Sequence, residues 1–553
     1  MSLTIIKLNM DSKRIFEQRN KLYENIDKDL MDSSNQRIEN KLSLRKQKVN
    51  DIIQKKRLLC YNLSINNNDE FKSKWKLLYN LSNLEFPQDS GKKYNLDFND
   101  DEEMLSTSLK YINSDNIIDV KYSIVLIQMF VNKHTDNELS NYINLMFISD
   151  IFRLIGKFPK NKEIIFNILY ILMHYSYAID DKNLSTILLS PKAYKIWELC
   201  FNLQDYDILY GIICVFNNII LNNQIGGCNL IRSTLVLINL YNFFKNQTII
   251  SQMNINDKKN VMYDIINNGV SLFCNLLIVS MDRLDRFTSE EIYTCKQKII
   301  NVVIIYCDIN NYESYQNCIY SIDSSVQKEM RLFDELDKSN FIQNLLYKKK
   351  FFDVLKIRFY ANQILGNFIA YKNKIEHNLL VEILNFENEY LNVCNVGAYR
   401  KEIFWALSNM LISDETISNE ICNNEEFLNK ITYCYNYAFN YFEINELSYF
   451  FTLLLYKINV NNFIKVQKYK LFEIAFEHAK NSLENNLEGL ILVFRLLEII
   501  FEFGKCMMKY YDGKNIVLDK FNVLGGKELL DKYLIYQNDK LSELINKIIE
   551  EYY

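Results

Sequence analysis

Three prolines and 13 glycines in 553 residues are too few for a chain built of short strands and tight turns. The shortage points to long helices. Long apolar runs are missing as well: no stretch of about 18 uncharged apolar residues occurs, so no membrane span is expected. Lys7 and the short apolar run at residues 3–6 do not make a signal peptide. The 12 cysteines run from Cys60 to Cys506 without one Cys-x-x-Cys, which suits free thiols in a reducing compartment. Only four histidines occur (His134, His174, His377 and His478), and none sits in a metal-spacing or triad motif. No phosphate-cradling loop is present. Gly226-Gly227 runs into Cys228 with no lysine, and Gly525-Gly526-Lys527 is followed by Glu528 where Ser or Thr is needed. The expectation is a non-enzyme without metal or cofactor.

What is present is a long, apolar, unevenly charged chain. Half the residues are apolar, and the length exceeds one compact core, so several domains or a repeat array are required. Heavy use of Asn, Ile, Lys and Tyr reads as compositional bias, and Asn66-Asn67-Asn68 as loop filler. Residues 1–57 carry 14 Lys and Arg against 8 Asp and Glu, a net of +6. With −4 for the whole chain, residues 58–553 carry −10. A basic arm precedes an acidic body, which is a poor nucleic-acid binder and a natural docking surface for basic peptides.

Within the arm, Ile38, Leu42, Val49, Ile52 and Ile53 recur at roughly helical spacing among cations. That pattern alone fits a solvated charged helix equally well. Its cations fall as Arg45-Lys46-x-Lys48, a six-residue gap, then Lys55-Lys56-Arg57. Residues 58–102 read as linker, with one helix possible around Trp75. From about 103 to 553, helical patterns recur every 40–50 residues, the period of armadillo or HEAT units. Several end in a pair at i, i+4: Tyr170 and His174, Cys214 and Asn218, Ser271 and Asn275, Gln363 and Asn367, Trp405 and Asn409.

The last pair lies in Arg400-Lys-Glu-Ile-Phe-Trp-Ala-Leu-Ser-Asn-Met410. On a helix, Trp405 and Asn409 rise from one face. An indole is a wall for a Lys or Arg stem, and a carboxamide can clamp an extended peptide backbone without reading its side chains. Glu402, one turn earlier, supplies a carboxylate for the cation's end. The plain alternative is a core helix with Trp inward and Asn outward. Asn218, Asn275 and Asn367 singly read as exposed helix residues, and His174 as a packed histidine.

These segments together resemble the importin-α family of nuclear import adaptors. Arg400–Met410 is similar to the third helix of a family armadillo repeat. Phe-Asn-Asn-Ile at 216–219 and Leu-Gly-Asn-Phe at 365–368 are close to its Leu-Gly-Asn-Ile. Arg14, Phe16, Arg19, Lys21, Arg37, Arg45, Lys46 and Lys48 resemble its importin-β-binding segment, and Lys55, Lys56 and Arg57 its autoinhibitory triplet. The end, Phe521 through Gly525-Gly526 to Tyr552-Tyr553, resembles its last repeat. The resemblance implies an all-α chain: a right-handed superhelical solenoid of about ten armadillo repeats over 103–553, with a linker at 58–102 and a mobile basic N-terminal arm at 1–57. It implies a concave groove that takes basic nuclear localisation signals, with Trp405, Asn409, Glu402, Asn367, Asn218, Asn275, Tyr170 and His174 along it. A helix at 297–308 is expected in a repeat lacking the pair, with Asp308 in the place of a family Asp, followed by a polar insertion around 310–316. Importin-β, cargo signals and an export receptor at the C-terminal repeats are the implied partners, with shuttling between cytoplasm and nucleus. Membrane and nucleic acid are not among the partners expected.

Departures are visible too. The family's dense Arg run is thinned to Ser34-Asn35-Gln36-Arg37. The early Trp positions are Tyr170, Cys214 and Ser271, and the family's lysine-pairing Asp is Asn222. The later repeats are therefore the stronger half of the groove. The rival reading is a non-transport armadillo scaffold holding another extended partner.

Overall fold

The computed structural model describes residues 100–133, 145–178, 182–222, 261–279, 288–307, 312–348, 351–352, 354–372, 374–391, 397–438, 441–481, 487–508, 511–535 and 538–553, with single positions at 230, 240 and 242. The arm, with every cation assigned to importin-β binding or autoinhibition, lies outside them, and so does Asp308. Every regular element among the described residues is helical. The chain divides into two compact units, residues 1–138 and 139–553.

In the first unit, α1 (Asp101–Ile112) and α2 (Ile117–Lys133) form an antiparallel pair. Asp100 caps α1 by accepting from the Glu102 N–H, and the Ser123 hydroxyl donates to the Ser108 carbonyl across the pair.

The second unit is an all-α solenoid. Its first helices are α3 (Leu145–Lys157) and α4 (Lys162–Ala178). A full repeat follows: short α5 (Lys182–Leu188), α6 (Pro191–Asn202) and long α7 (Tyr206–Asn222). Next come α8 (Val261–Ile278), α9 (Ser289–Cys307) and α10 (Tyr312–Val326). Short α11 (Phe333–Lys338) and α12 (Phe341–Tyr347) lead to α13 (Leu355–Tyr371), and α14 (His377–Leu391) to α15 (Gly397–Ser413). Three clear triplets close the chain. They are α16 (Ile417–Asn423), α17 (Glu425–Asn436) and α18 (Tyr441–Lys457); α19 (Val460–Gln467), α20 (Leu471–Asn481) and α21 (Leu487–Met507); and α22 (Ile516–Val523), α23 (Gly526–Leu534) and α24 (Asp539–Tyr552). A short helix, a medium one and a long one in about 40–47 residues is the armadillo-type unit.

The long helices pack one on the next: α4, α7, α8, α10, α13, α15, α18, α21 and α24. None can bury its apolar face alone, so each repeat completes the core of its neighbour. Trp197 of α6 shows how. Its ring lies 4.9 Å from Phe152 of α3 and 5.0 Å from Phe216 of α7, and its N–H donates to the Leu188 carbonyl at 2.7 Å.

Asparagine does more than fill loops. Asn424, Asn459, Asn515 and Asn538 each cap a helix by accepting from the backbone N–H three residues on. Gly525 takes φ +89°, and a Cβ on Gly526 would collide with the Phe521 ring, so the glycine pair shapes the last α22–α23 corner.

Residues 297–307 do form a helix, within α9, but the helix that follows α8 in the ladder is α10. One expectation is overturned: the polar stretch read as an insertion starts that ladder helix. Tyr312, Glu313, Ser314 and Gln316 hid its apolar stripe, which runs from buried Tyr315 through Cys318 and Ile319.

Candidate functional site

The ladder helices share one register. The Asn218 side chain donates from Nδ2 to the Met173 carbonyl at 2.9 Å. Asn275 donates to Asn217 Oδ1 at 3.3 Å, and Asn409 to the Gly366 carbonyl at 3.1 Å. Each time the acceptor belongs to the residue just before the corresponding position on the preceding ladder helix: His174, Asn218 and Asn367. The rungs are therefore tied sideways to each other, and α7, α8 and α15 are set at matched heights. Asn218, Asn275, Asn367 and Asn409 are all half-buried. The Oδ1 atoms of Asn218 and Asn409 take no protein donor among the described residues, which leaves an acceptor for a guest backbone N–H.

On α10, Tyr320 and Ser324 stand at i, i+4, and the bond back to α8 runs from the Ser325 hydroxyl to the Leu277 carbonyl at 3.2 Å. Tyr320 and Ser324 are half-buried while their neighbours Asp323 and Ser325 are buried. The sequence hides this pair because α10 opens on a polar stretch. Tyr320 begins a row of aromatic rings across three ladder helices. It lies 5.1 Å from Tyr360, which lies 5.5 Å from Phe359, which lies 5.2 Å from Tyr399.

Two buried carboxyls adjoin this row. Asp323 is 3% exposed and accepts from the Gln327 amide at 3.0 Å with both oxygens. Burial, with a smaller push from Glu402, holds its carboxyl well above the usual range. Glu402 is also buried, with Lys401 Nζ 3.7 Å from it. The Tyr360 phenol is pushed up to about 12 by burial first and then by Tyr320, Asp323 and Tyr399. Asp323 is thus a buried acid on α10 itself, while Asp308 lies outside the described residues.

Trp405 is not an open wall. It is 9% exposed, and a Cβ on Gly366 would stand 2.6 Å from its ring carbons. One face of the indole is spent on the backbone of α13, beside the carbonyl that receives Asn409. The first pair is similarly closed: His174 is buried, and its ring lies 4.6 Å from that of half-buried Tyr170. Cys214 and Ser271 hold the wall positions on α7 and α8 without an aromatic ring, and Asn222 closes α7.

A histidine contact elsewhere has no relay geometry. His377 Nδ1 faces both Asp414 Oδ2 at 2.8 Å and Thr416 Oγ1 at 3.1 Å, so one nitrogen meets both groups. Among the described residues no group of three or more His, Cys, Asp or Glu is placed to hold a metal ion. No helix among them is long and apolar enough to cross a membrane.

No protein-family model matches this sequence, and no curated protein is similar to it. Solved structures are. An engineered protein has a TM-score of 0.57 at 10% identity, over 82% of this chain and 98% of its own. A likeness at that identity speaks for the fold. A designed armadillo repeat protein in complex with the peptide (KR)4 reaches 0.31 at 10% identity, over 55% of this chain and 99% of its own.

Proposed function

We propose that the ladder face holds an extended basic peptide, and that with its arm the chain acts as a nuclear import adaptor of the importin-α kind. The observation that carries the first half is the common register of the Asn rungs. Side chains tied at equal heights on successive helices offer acceptors at the spacing a repeating backbone needs. The aromatic row from Tyr320 to Tyr399 and the buried Asp323 and Glu402 suit the stems and charges of lysine and arginine. The arm's cation spacing, Arg45-Lys46-x-Lys48 and then Lys55-Lys56-Arg57, supports the second half. Importin-β would take the arm, an export receptor would take the C-terminal repeats, and the chain would shuttle between cytoplasm and nucleus. No chemistry is assigned to it: the reading is a binding protein, not an enzyme.

The test is a pull-down of importin-β with the full chain and with a chain starting near Leu58. Retention by the full chain alone supports the adaptor, and equal or absent retention removes it. A Lys/Arg-rich peptide titrated against the parent and Asn409→Ala tests the groove separately. A second reading has its own support. Cys214 and Ser271 leave two wall positions without rings and Trp405 is closed, which suits a scaffold for an extended partner poorer in lysine.

A further inference from the structure

Behind the ladder face of α8 and α10 lies a group of thiols that the groove does not use. Cys274 Sγ on α8 is 3.9 Å from Cys318 Sγ on α10, and the two residues are 44 apart in sequence. Cys307, the last residue of α9, also hydrogen-bonds Cys318. All three are buried, and Cys318 is sealed completely. Cys274 immediately precedes the Asn275 rung, and Cys318 is two residues before Tyr320.

We propose that Cys274 and Cys318 form an oxidation-driven disulfide that fastens one ladder helix to the next behind the groove. The sulfurs already touch across the α8–α10 interface. Closing to a bond of about 2 Å requires only side-chain rotation and a small helix adjustment. The inference rests on the fold and not on the proposed import role.

Hydrogen peroxide is the oxidant. The Cys318 thiolate attacks one peroxide oxygen, the O–O bond breaks, and the sulfur becomes a sulfenic acid as water leaves. The Cys274 thiolate then attacks that sulfur, the S–O bond breaks, and a second water leaves. Two thiols and one peroxide give one disulfide and two waters.

Burial keeps the Cys318 thiol far above its ordinary range, so the closed solenoid resists brief exposure. Reaction waits for local opening of the repeat, and the bond then holds the reclosed form. The device therefore records sustained oxidation. Once made, it fixes the spacing between Asn275 on α8 and Tyr320 on α10. By closing a long loop it also restricts the unfolded chain.

The experiment treats the full chain with hydrogen peroxide until the exposed Cys506 is fully oxidised, then digests it without reductant for mass spectrometry. The expected product is a peptide joining Cys274 to Cys318, lost on reduction and still formed in Cys307→Ala. Amide exchange in 261–278 and 312–326 should be slower in the oxidised chain than in the reduced one. A bridge from Cys307 to Cys318 instead, or intact Cys274 and Cys318 thiols after Cys506 has reacted, overturns the proposal. Both readings use the parent chain, so a poorly folding variant does not blur the result.

Discussion

Trp405 and Asn409 were legible as a pair from their spacing, but their duties divide in the fold. The indole is packed on Gly366, so Trp405→Ala opens a cavity between α13 and α15 and should cost about 3–5 kcal/mol, read as a shift in the urea midpoint. Asn409 spends its amide N–H on the Gly366 carbonyl and keeps Oδ1 as an acceptor. Asn409→Ala should weaken a Lys/Arg-rich peptide by about 1–3 kcal/mol in calorimetry. Peptide binding unchanged in Asn409→Ala would remove this rung from the site. Asp323 sets a pH dependence. Its folded carboxyl is raised above the usual 3.8, mainly by burial, so it binds a proton more tightly folded than unfolded. The stability it lends is full below 3.8 and is lost as pH rises through the folded value. A cationic guest reverses the preference, because it favours the ionised form. Peptide affinity should therefore climb as pH rises toward the raised folded value, and Asp323→Asn should flatten that climb in titrations across the range.

At the scale of the helix, the register of α15 is fixed from both sides. Toward α18, Arg400 Nε meets Glu443 Oε1 at 2.5 Å with both side chains almost fully buried, and Arg400 also donates to the Tyr437 carbonyl at 3.2 Å. Removing one partner strands a charge in the interior. Arg400→Met should destabilise by about 3–5 kcal/mol, whereas Arg400→Met with Glu443→Leu should recover most of it. Equal losses in the single and double variants, measured by denaturant unfolding, would mean the pair does not act as a unit. Toward α13, Gly366→Ala should displace the Trp405 ring at about 1–3 kcal/mol, with indole fluorescence reporting the shift. Sequence spacing located both helices. It did not show that Arg400, read as the start of a guest-binding stretch, is a lock between repeats, because its partner lies 43 residues away on another helix.

Over the whole molecule, the basic arm and the acidic body pose one question of competition. Lys55-Lys56-Arg57 resembles a guest sequence tethered by about 45 residues of linker, which sets an effective concentration of roughly millimolar. If the ladder face takes basic peptides, a chain starting near Leu58 should bind a signal peptide several-fold more tightly than the full chain. Equal affinities would mean that the arm does not compete. Cys214 and Ser271 offer no aromatic wall, which makes for a weak seat, so the gain should be modest.

The sequence by itself determined the class of fold. Scarce Pro and Gly, apolar stripes at helical period and units of 40–50 residues leave little but stacked helices, because such stripes are local and repeat wherever a helix must bury one face. It also placed the i, i+4 pairs, since helical spacing is fixed by backbone geometry. Only the tertiary structure decided which helix of each repeat joins the ladder and which side chains stay open. α10 joins the ladder because its partners are α8 and α13, although its own first turn is polar. Trp405 closed on Gly366 because two helices far apart in the chain meet where one has no side chain. Contacts of that kind depend on the height of one repeat against the next, a quantity no single helix encodes.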